Sequence, residues 1–125
     1  MGITTAIIKV REHRKAEKFA EVNFLVDSGV VYSLVPGKIL DNLEIEPHRE
    51  MRFSPADGTI LKRKVCLAYF EFEGQGRPAS VVYGEDADEL LLGTTTLVSQ
   101  GLVLNPFTRT LHPMQMLMAN IQKKN

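Results

Sequence analysis

The chain has one cysteine, Cys66, and that alone excludes an intramolecular disulfide framework and any thiolate metal cage built within one molecule. Cys66 sits in an apolar run, where a small buried core residue is expected rather than a nucleophile. Net charge is also missing: 15 basic and 15 acidic residues cancel. No overall field favours nucleic acid, and no basic patch is interleaved with aromatic residues. Long apolar runs are lacking as well. No stretch approaches the ~18 residues of a membrane span, and the N-terminus has no signal-peptide apolar region. Met1-Gly2 is followed by Ala6 where a myristoylation pattern needs Ser or Thr. Internal repeats are absent. These exclusions leave a soluble cytoplasmic protein as the expectation, with no nucleic-acid or membrane partner.

What is present fits one ordinary globular domain. The 125 residues, 44% hydrophobic and 24% charged, suffice for a core and argue against disorder. The texture is mostly β. Thr4 to Val10 is rich in Thr, Ile and Val. Ala20, Val22, Phe24 and Val26 alternate with Glu21 and Asn23, the period of a half-buried strand. A short strand is expected at Val30–Leu34, then one or two helical turns over Gly37–Leu43 with Leu40 and Leu43 inward.

Met51 to Phe72 reads as a long hairpin turning at Asp57-Gly58, since both residues tolerate positive φ. Its second arm is long enough to predict a bend or bulge. Gly74 to Gly76 supplies another turn before a strand from Pro78 to Tyr83. After Gly93, the hydroxyls of Thr94 to Thr96 offer helix caps, and Gly101 suits a helix stop. Short strands at Leu102–Leu104 and Arg109–His112 flank an Asn105-Pro106 turn. The tail from Met114 to Ile121 is Met-rich and is expected either as a helix on the core or as an interface segment.

Within this pattern Asp27 is out of place, because the apolar strand Phe24-Leu25-Val26 delivers a carboxylate at its end, and a buried charge without partners is costly. Asp27-Ser28-Gly29 has the parts of a catalytic carboxylate loop. Gly two positions on lets backbone approach the carboxylate without a Cβ, and the intervening hydroxyl can hold the loop rigid. Carboxylate-catalysed peptide hydrolysis needs two such Asp residues sharing one proton, since like charges about 3 Å apart cannot both ionise.

The segments Val26-Asp27-Ser28-Gly29, Ser33, Leu91-Leu92-Gly93 and Gly101 to Pro106 resemble single-domain retroviral-type (retropepsin-like, clan AA) aspartic proteases over roughly residues 18–113. The resemblance implies an all-β fold for residues 1–125 as a single domain. It implies a closed antiparallel β-barrel of the acid-protease type, with one short helix before the C-terminal strands. Asp27 is then the catalytic residue, with Ser28 and Gly29 shaping its loop and Leu92 and Gly93 supporting it. Val30, Leu34 and Leu91 would wall the cleft and favour apolar residues beside the cut. Ala56, Asp57, Gly58 and Thr59 would form a flap. No metal or cofactor is implied.

Only one such loop is present, so two chains would have to contribute Asp27 each, and a homodimer acting on a peptide or protein substrate is expected. Val30 stands where Ala is usual. Val31 and Thr94 stand where retroviral members often carry Asp and Arg, which moves the comparison toward cellular, bacterial or archaeal members. An inactive dimerisation or peptide-binding module of the same fold is the alternative.

The remaining polar residues have plainer explanations. Asp57 is a turn residue, Asp86, Asp88 and Glu89 form a solvated acidic loop, and Arg11 to Lys18 is a mixed-charge surface turn. His13, His48 and His112 are scattered rather than spaced as zinc ligands. No Gly-x-Ser-x-Gly elbow supports a serine nucleophile at Ser28 or Ser33.

Overall fold

Alternation at Val22, Phe24 and Val26 becomes a strand with those three side chains buried, and its neighbours build outward from it. The computed structural model of the chain describes residues 3–114. In chain order these form β1 Thr5–Arg11, β2 Phe19–Val26, β3 Ser33–Pro36, α1 Gly37–Asn42, β4 Arg49–Phe53 and β5 Leu61–Phe72. They continue with β6 Gln75–Gly84, β7 Leu91–Leu92, α2 Thr94–Gln100, β8 Leu102–Asn105 and β9 Thr110–Pro113. The fold is all-β with two short helices. The Met-rich tail lies outside the described residues beyond Met114.

Seven strands form one sheet in the order β1-β2-β7-β3-β6-β5-β4, while β8 and β9 form a two-stranded sheet. The pairings are antiparallel with two exceptions, since β2–β7 and β3–β6 run parallel. β1 pairs with β2 along its length and also with β5, through Lys9–Glu71, Val10–Phe70 and Arg11–Tyr69.

The long strand β5 does not carry the bulge its length predicts. Its register with β4 is continuous from Leu61 to Val65, and its register with β6 is continuous from Val65 to Phe72. Changing partners at Val65 takes up the length. Val65 and Cys66 are therefore buried in succession, on opposite faces, where the hairpin meets the body of the sheet. The tight connection after β5 is Glu73-Gly74, with φ of 50° and 79°. Positive φ at both central residues matches the twist of the flanking strands. The turn thus falls one residue earlier than the Gly74–Gly76 expectation.

Inside, Phe24 of β2 meets Phe70 of β5 with ring centroids 6.1 Å apart. Ile8, Val10, Val35, Leu40, Val81 and Leu92 pack around them, each almost fully buried. Each such side chain contributes roughly 1.5–3 kcal/mol from leaving water. Leu40 and Leu43, predicted to face inward, are both buried. The core ends where β2 and β7 end together, and there Asp27 stands.

Candidate active site

β2 and β7 run parallel, with Leu25 beside Leu91 and Val26 beside Leu92. The Leu25 N–H donates to the Leu90 carbonyl at 2.8 Å, and the Asp27 N–H donates to the Leu92 carbonyl at 3.1 Å. Past Val26 the chain turns sharply, with the Val30 N–H donating back to the Asp27 carbonyl at 3.2 Å. The Gly29 N–H donates to Asp27 Oδ1 at 2.8 Å. A Cβ on Gly29 would stand 3.2 Å from that same oxygen, so a side chain there would crowd the carboxylate. Asp27 is half-buried, while Ser28 and Gly29 are exposed.

Behind this loop passes the Leu91-Leu92-Gly93 segment. β7 lies between β2 and β3, with Leu91 also opposite Leu34. Gly93 is buried, and a Cβ on it would lie only 2.6 to 2.8 Å from backbone atoms of Val31 and Tyr32. The following N–H groups, of Thr94 and Thr95, donate to the carbonyls of Val30 and Val31, each at 2.8 Å. The start of α2 is therefore satisfied by the loop's own backbone. This corrects the expected hydroxyl cap: α2 begins from Gly93 with no side-chain cap bond. It also explains why the strand predicted from Val30 begins only at Ser33, since the carbonyls of Val30 and Val31 serve the helix.

The hydroxyl of Thr96 points inward instead, 2.5 Å from the Ser33 hydroxyl, and Ser33 Oγ accepts the Gly93 N–H at 3.0 Å. Both hydroxyl side chains are fully buried. A polar pair this deep must be hydrogen-bonded, because an unpaired buried hydroxyl is costly. Gly101 closes α2 at φ 68°, as the sequence predicts.

Beside the loop runs a groove of about 370 Å³ lined by Val30, Leu34 and Leu91 on one side and by Phe53 and Leu61 of the β4–β5 hairpin on the other. Tyr32 spans the two sides, meeting Phe53 edge-on with centroids 6.1 Å apart and rings at 85°. The expected cleft residues Val30, Leu34 and Leu91 are thus gathered together. The expected flap residues Ala56, Asp57, Gly58 and Thr59 are exposed at the hairpin tip and do not line the groove.

The tip is nonetheless well formed. The Gly58 N–H donates to the Pro55 carbonyl at 3.1 Å, and Asp57 Oδ1 accepts the Thr59 N–H at 3.0 Å and the Thr59 hydroxyl at 2.8 Å. The backbone N–H of Thr59, followed by its hydroxyl, holds the Asp57 carboxyl below its usual range.

Tyr32, Phe53 and Leu61 escaped the sequence analysis, although a signal for two of them was present. Pairing outward from Asp57 as the centre of the hairpin places Phe53 opposite Leu61, and paired residues share a face. Asp27 borders a separate hollow with Thr4, Leu104 and Pro106. Ser28 adjoins another that includes Leu97, Val98 and Val103. Val98 and Val103 are 56% and 47% exposed, so exposed apolar side chains share that hollow with Ser28.

This arrangement has counterparts. A family model described as aspartyl protease matches residues 16–96. The solution structure of simian foamy virus (mac) protease aligns with a TM-score of 0.55 at 18% identity, covering 75% of this chain and 91% of that one. The crystal structure of the retroviral protease-like domain of Ddi1 from Leishmania major aligns with a TM-score of 0.57 at 15% identity, covering 97% of this chain and 91% of that one. At such identities the structural likeness is one of fold. No curated protein matches the chain. The family match spans the Asp27 loop, the β4–β5 hairpin and the Leu91–Gly93 segment in one stretch, and on that match the chain belongs to the aspartyl protease family, with a retropepsin-like fold.

Proposed function

We propose that the protein is an aspartic endopeptidase whose site is completed only when two chains bring their Asp27 residues together across a two-fold axis. One observation carries this: a half-buried carboxylate is fixed by the Gly29 N–H and by the Leu92 carbonyl on its own backbone, in a chain with a single such loop. One carboxylate of the pair takes a proton from water as the water attacks the peptide carbonyl carbon. The other, protonated, donates to the carbonyl oxygen. The tetrahedral intermediate then collapses with proton transfer to the leaving nitrogen, without a covalent enzyme intermediate.

Ser28 and Gly29 shape the loop, and Leu92 and Gly93 brace it. An extended peptide lies strand-like along the groove, with apolar residues against Val30, Leu34 and Leu91. The hairpin tip from Ala56 to Thr59 closes over it and excludes water. The exposed apolar residues around Ser28 suit an isologous contact between cytoplasmic copies. The pairing of β1 with β5 is consistent with closure of the sheet into a barrel.

The test is cleavage of an unfolded protein from acidic to neutral pH by the full chain and by its Asp27→Asn variant. Cleavage that is lost in the variant and blocked by a pepstatin-type transition-state analogue is expected. Sedimentation should show a dimer at the active concentration. Peptide binding without cleavage in both proteins would overturn the enzyme in favour of an inactive binding module, and activity from a monomer would overturn the two-chain site.

A further inference from the structure

The groove has apolar walls but ends in charge. Arg63 lies two positions beyond Leu61 on β5, and residues so spaced share a face, so it extends the wall that Phe53 and Leu61 begin. Its Nη1 donates to Asp88 Oδ2 at 3.1 Å and to the Tyr83 carbonyl at 3.5 Å, with Glu85 Oε1 at 3.8 Å. Asp88 Oδ2 also accepts the Glu85 N–H at 2.7 Å.

These contacts all use one nitrogen of the guanidinium and one oxygen of the carboxylate. Arg63 Nε and Nη2 and Asp88 Oδ1 have no bond among the described residues, and the two side chains are 22% and 31% exposed. The end of the groove thus presents donors and an acceptor side by side. Tyr32 and Phe53, edge-on to one another, make the approach aromatic.

A side chain matching this surface has a flat apolar body and a tip that both accepts and donates a hydrogen bond. A phenol has this form. Leucine or phenylalanine would meet the walls but leave the tip to water. A carboxylate tip would meet Arg63 but also Asp88 and Glu85, and an ammonium would meet those carboxylates but also Arg63. Either charge sets an attraction against a like-charge encounter, whereas a neutral phenol meets neither repulsion.

We propose that this groove binds a tyrosine side chain of an extended peptide, and that Arg63 and Asp88 determine that preference. The inference rests on the peptidase reading for its biological meaning but not for its measurement. Because the two polar groups are already paired and partly hydrated, the gain of tyrosine over phenylalanine is modest, about three- to tenfold in affinity.

N-acetyl-L-tyrosinamide and N-acetyl-L-phenylalaninamide are titrated into the full chain carrying Asp27→Asn, followed by NMR at Tyr32, Leu61, Leu91 and the Arg63 side chain. Asp27 does not line the groove, so the variant removes cleavage and leaves the walls intact. Tyrosinamide should bind more tightly and move these signals, and Arg63→Met should equalise the two ligands. If Arg63→Met does not fold, Asp88→Asn should reduce the difference instead. Equal affinities in the starting protein, shifts elsewhere, or a preference unchanged by the folded variants would overturn the proposal. Failure of the peptidase reading appears separately, as wild-type protein that cleaves nothing while the groove still prefers tyrosinamide.

Discussion

Ser33 and Thr96, 63 residues apart in sequence, share a buried hydrogen bond of 2.5 Å, and Ser33 also accepts the Gly93 N–H. One serine hydroxyl therefore ties the start of β3 both to α2 and to the segment behind the Asp27 loop. Ser33→Ala leaves a buried N–H and a buried hydroxyl without this partner, and should destabilise the protein by about 1–3 kcal/mol. Thr96→Val keeps shape and leaves the Ser33–Gly93 bond, and should cost about 1 kcal/mol. Urea unfolding of both variants and the double variant gives the order and the coupling. A Ser33→Ala protein as stable as its parent would remove the pair from any structural role.

Gly93 and Gly58 separate two reasons for having glycine. At Gly93 an added Cβ meets rigid backbone at 2.6 Å, although the φ there, −93°, suits any residue. Gly58 has open space around it and φ of +86°. Gly58→Ala should cost only about 1–2 kcal/mol, the strain of a left-handed residue, and be confined to the hairpin tip. Gly93→Ala must displace the Val31–Tyr32 backbone, so it should cost at least as much in thermal unfolding and also abolish the cleavage proposed for Asp27. Retention of cleavage in Gly93→Ala would contradict the close packing of the two segments.

Alkali should loosen the packing around Cys66 and Tyr83. Burial pushes the Cys66 thiol from 9.0 up to about 12. Burial first, then the neighbouring Cys66, raises the Tyr83 phenol from 10.0 to about 12, and its hydroxyl donates to the Ile45 carbonyl at 2.5 Å. Both groups are neutral when protonated, and the fold favours that form. Their contribution to stability is complete below the unfolded values near 9 and 10 and is lost as pH rises through about 12. Urea midpoints should hold through pH 8 and fall above pH 9, with iodoacetamide labelling Cys66 only as the protein unfolds. Rapid native labelling at pH 8 would contradict the burial.

The parts of this molecule legible in sequence are the local ones. Alternation at Val22, Phe24 and Val26 marks β2 because a strand's two faces need only its own residues to be recognised. Asp27-Ser28-Gly29 and Leu91-Leu92-Gly93 stand out because each ends in a glycine where a Cβ would crowd its surroundings, the Asp27 carboxylate at Gly29 and the Val31–Tyr32 backbone at Gly93. The support between them is not legible, since carbonyls such as those of Val30 and Val31 have no side-chain signature and cap a helix that begins far along the chain. Thr96 looks like any helix-start hydroxyl until Ser33 is placed beside it. Tyr32 belongs to a run that reads as strand, and its role appears only when Phe53 arrives from the hairpin.

The bonds from Thr94 and Thr95 to Val30 and Val31 also bear on motion. A helix of this length would ordinarily fray at its first turn. Here fraying would release the very carbonyls that fix the end of the Asp27 loop, so the two openings are one event with one free energy. Protection of those two amides from solvent exchange would therefore report, at a distance, how often the carboxylate loop lets go.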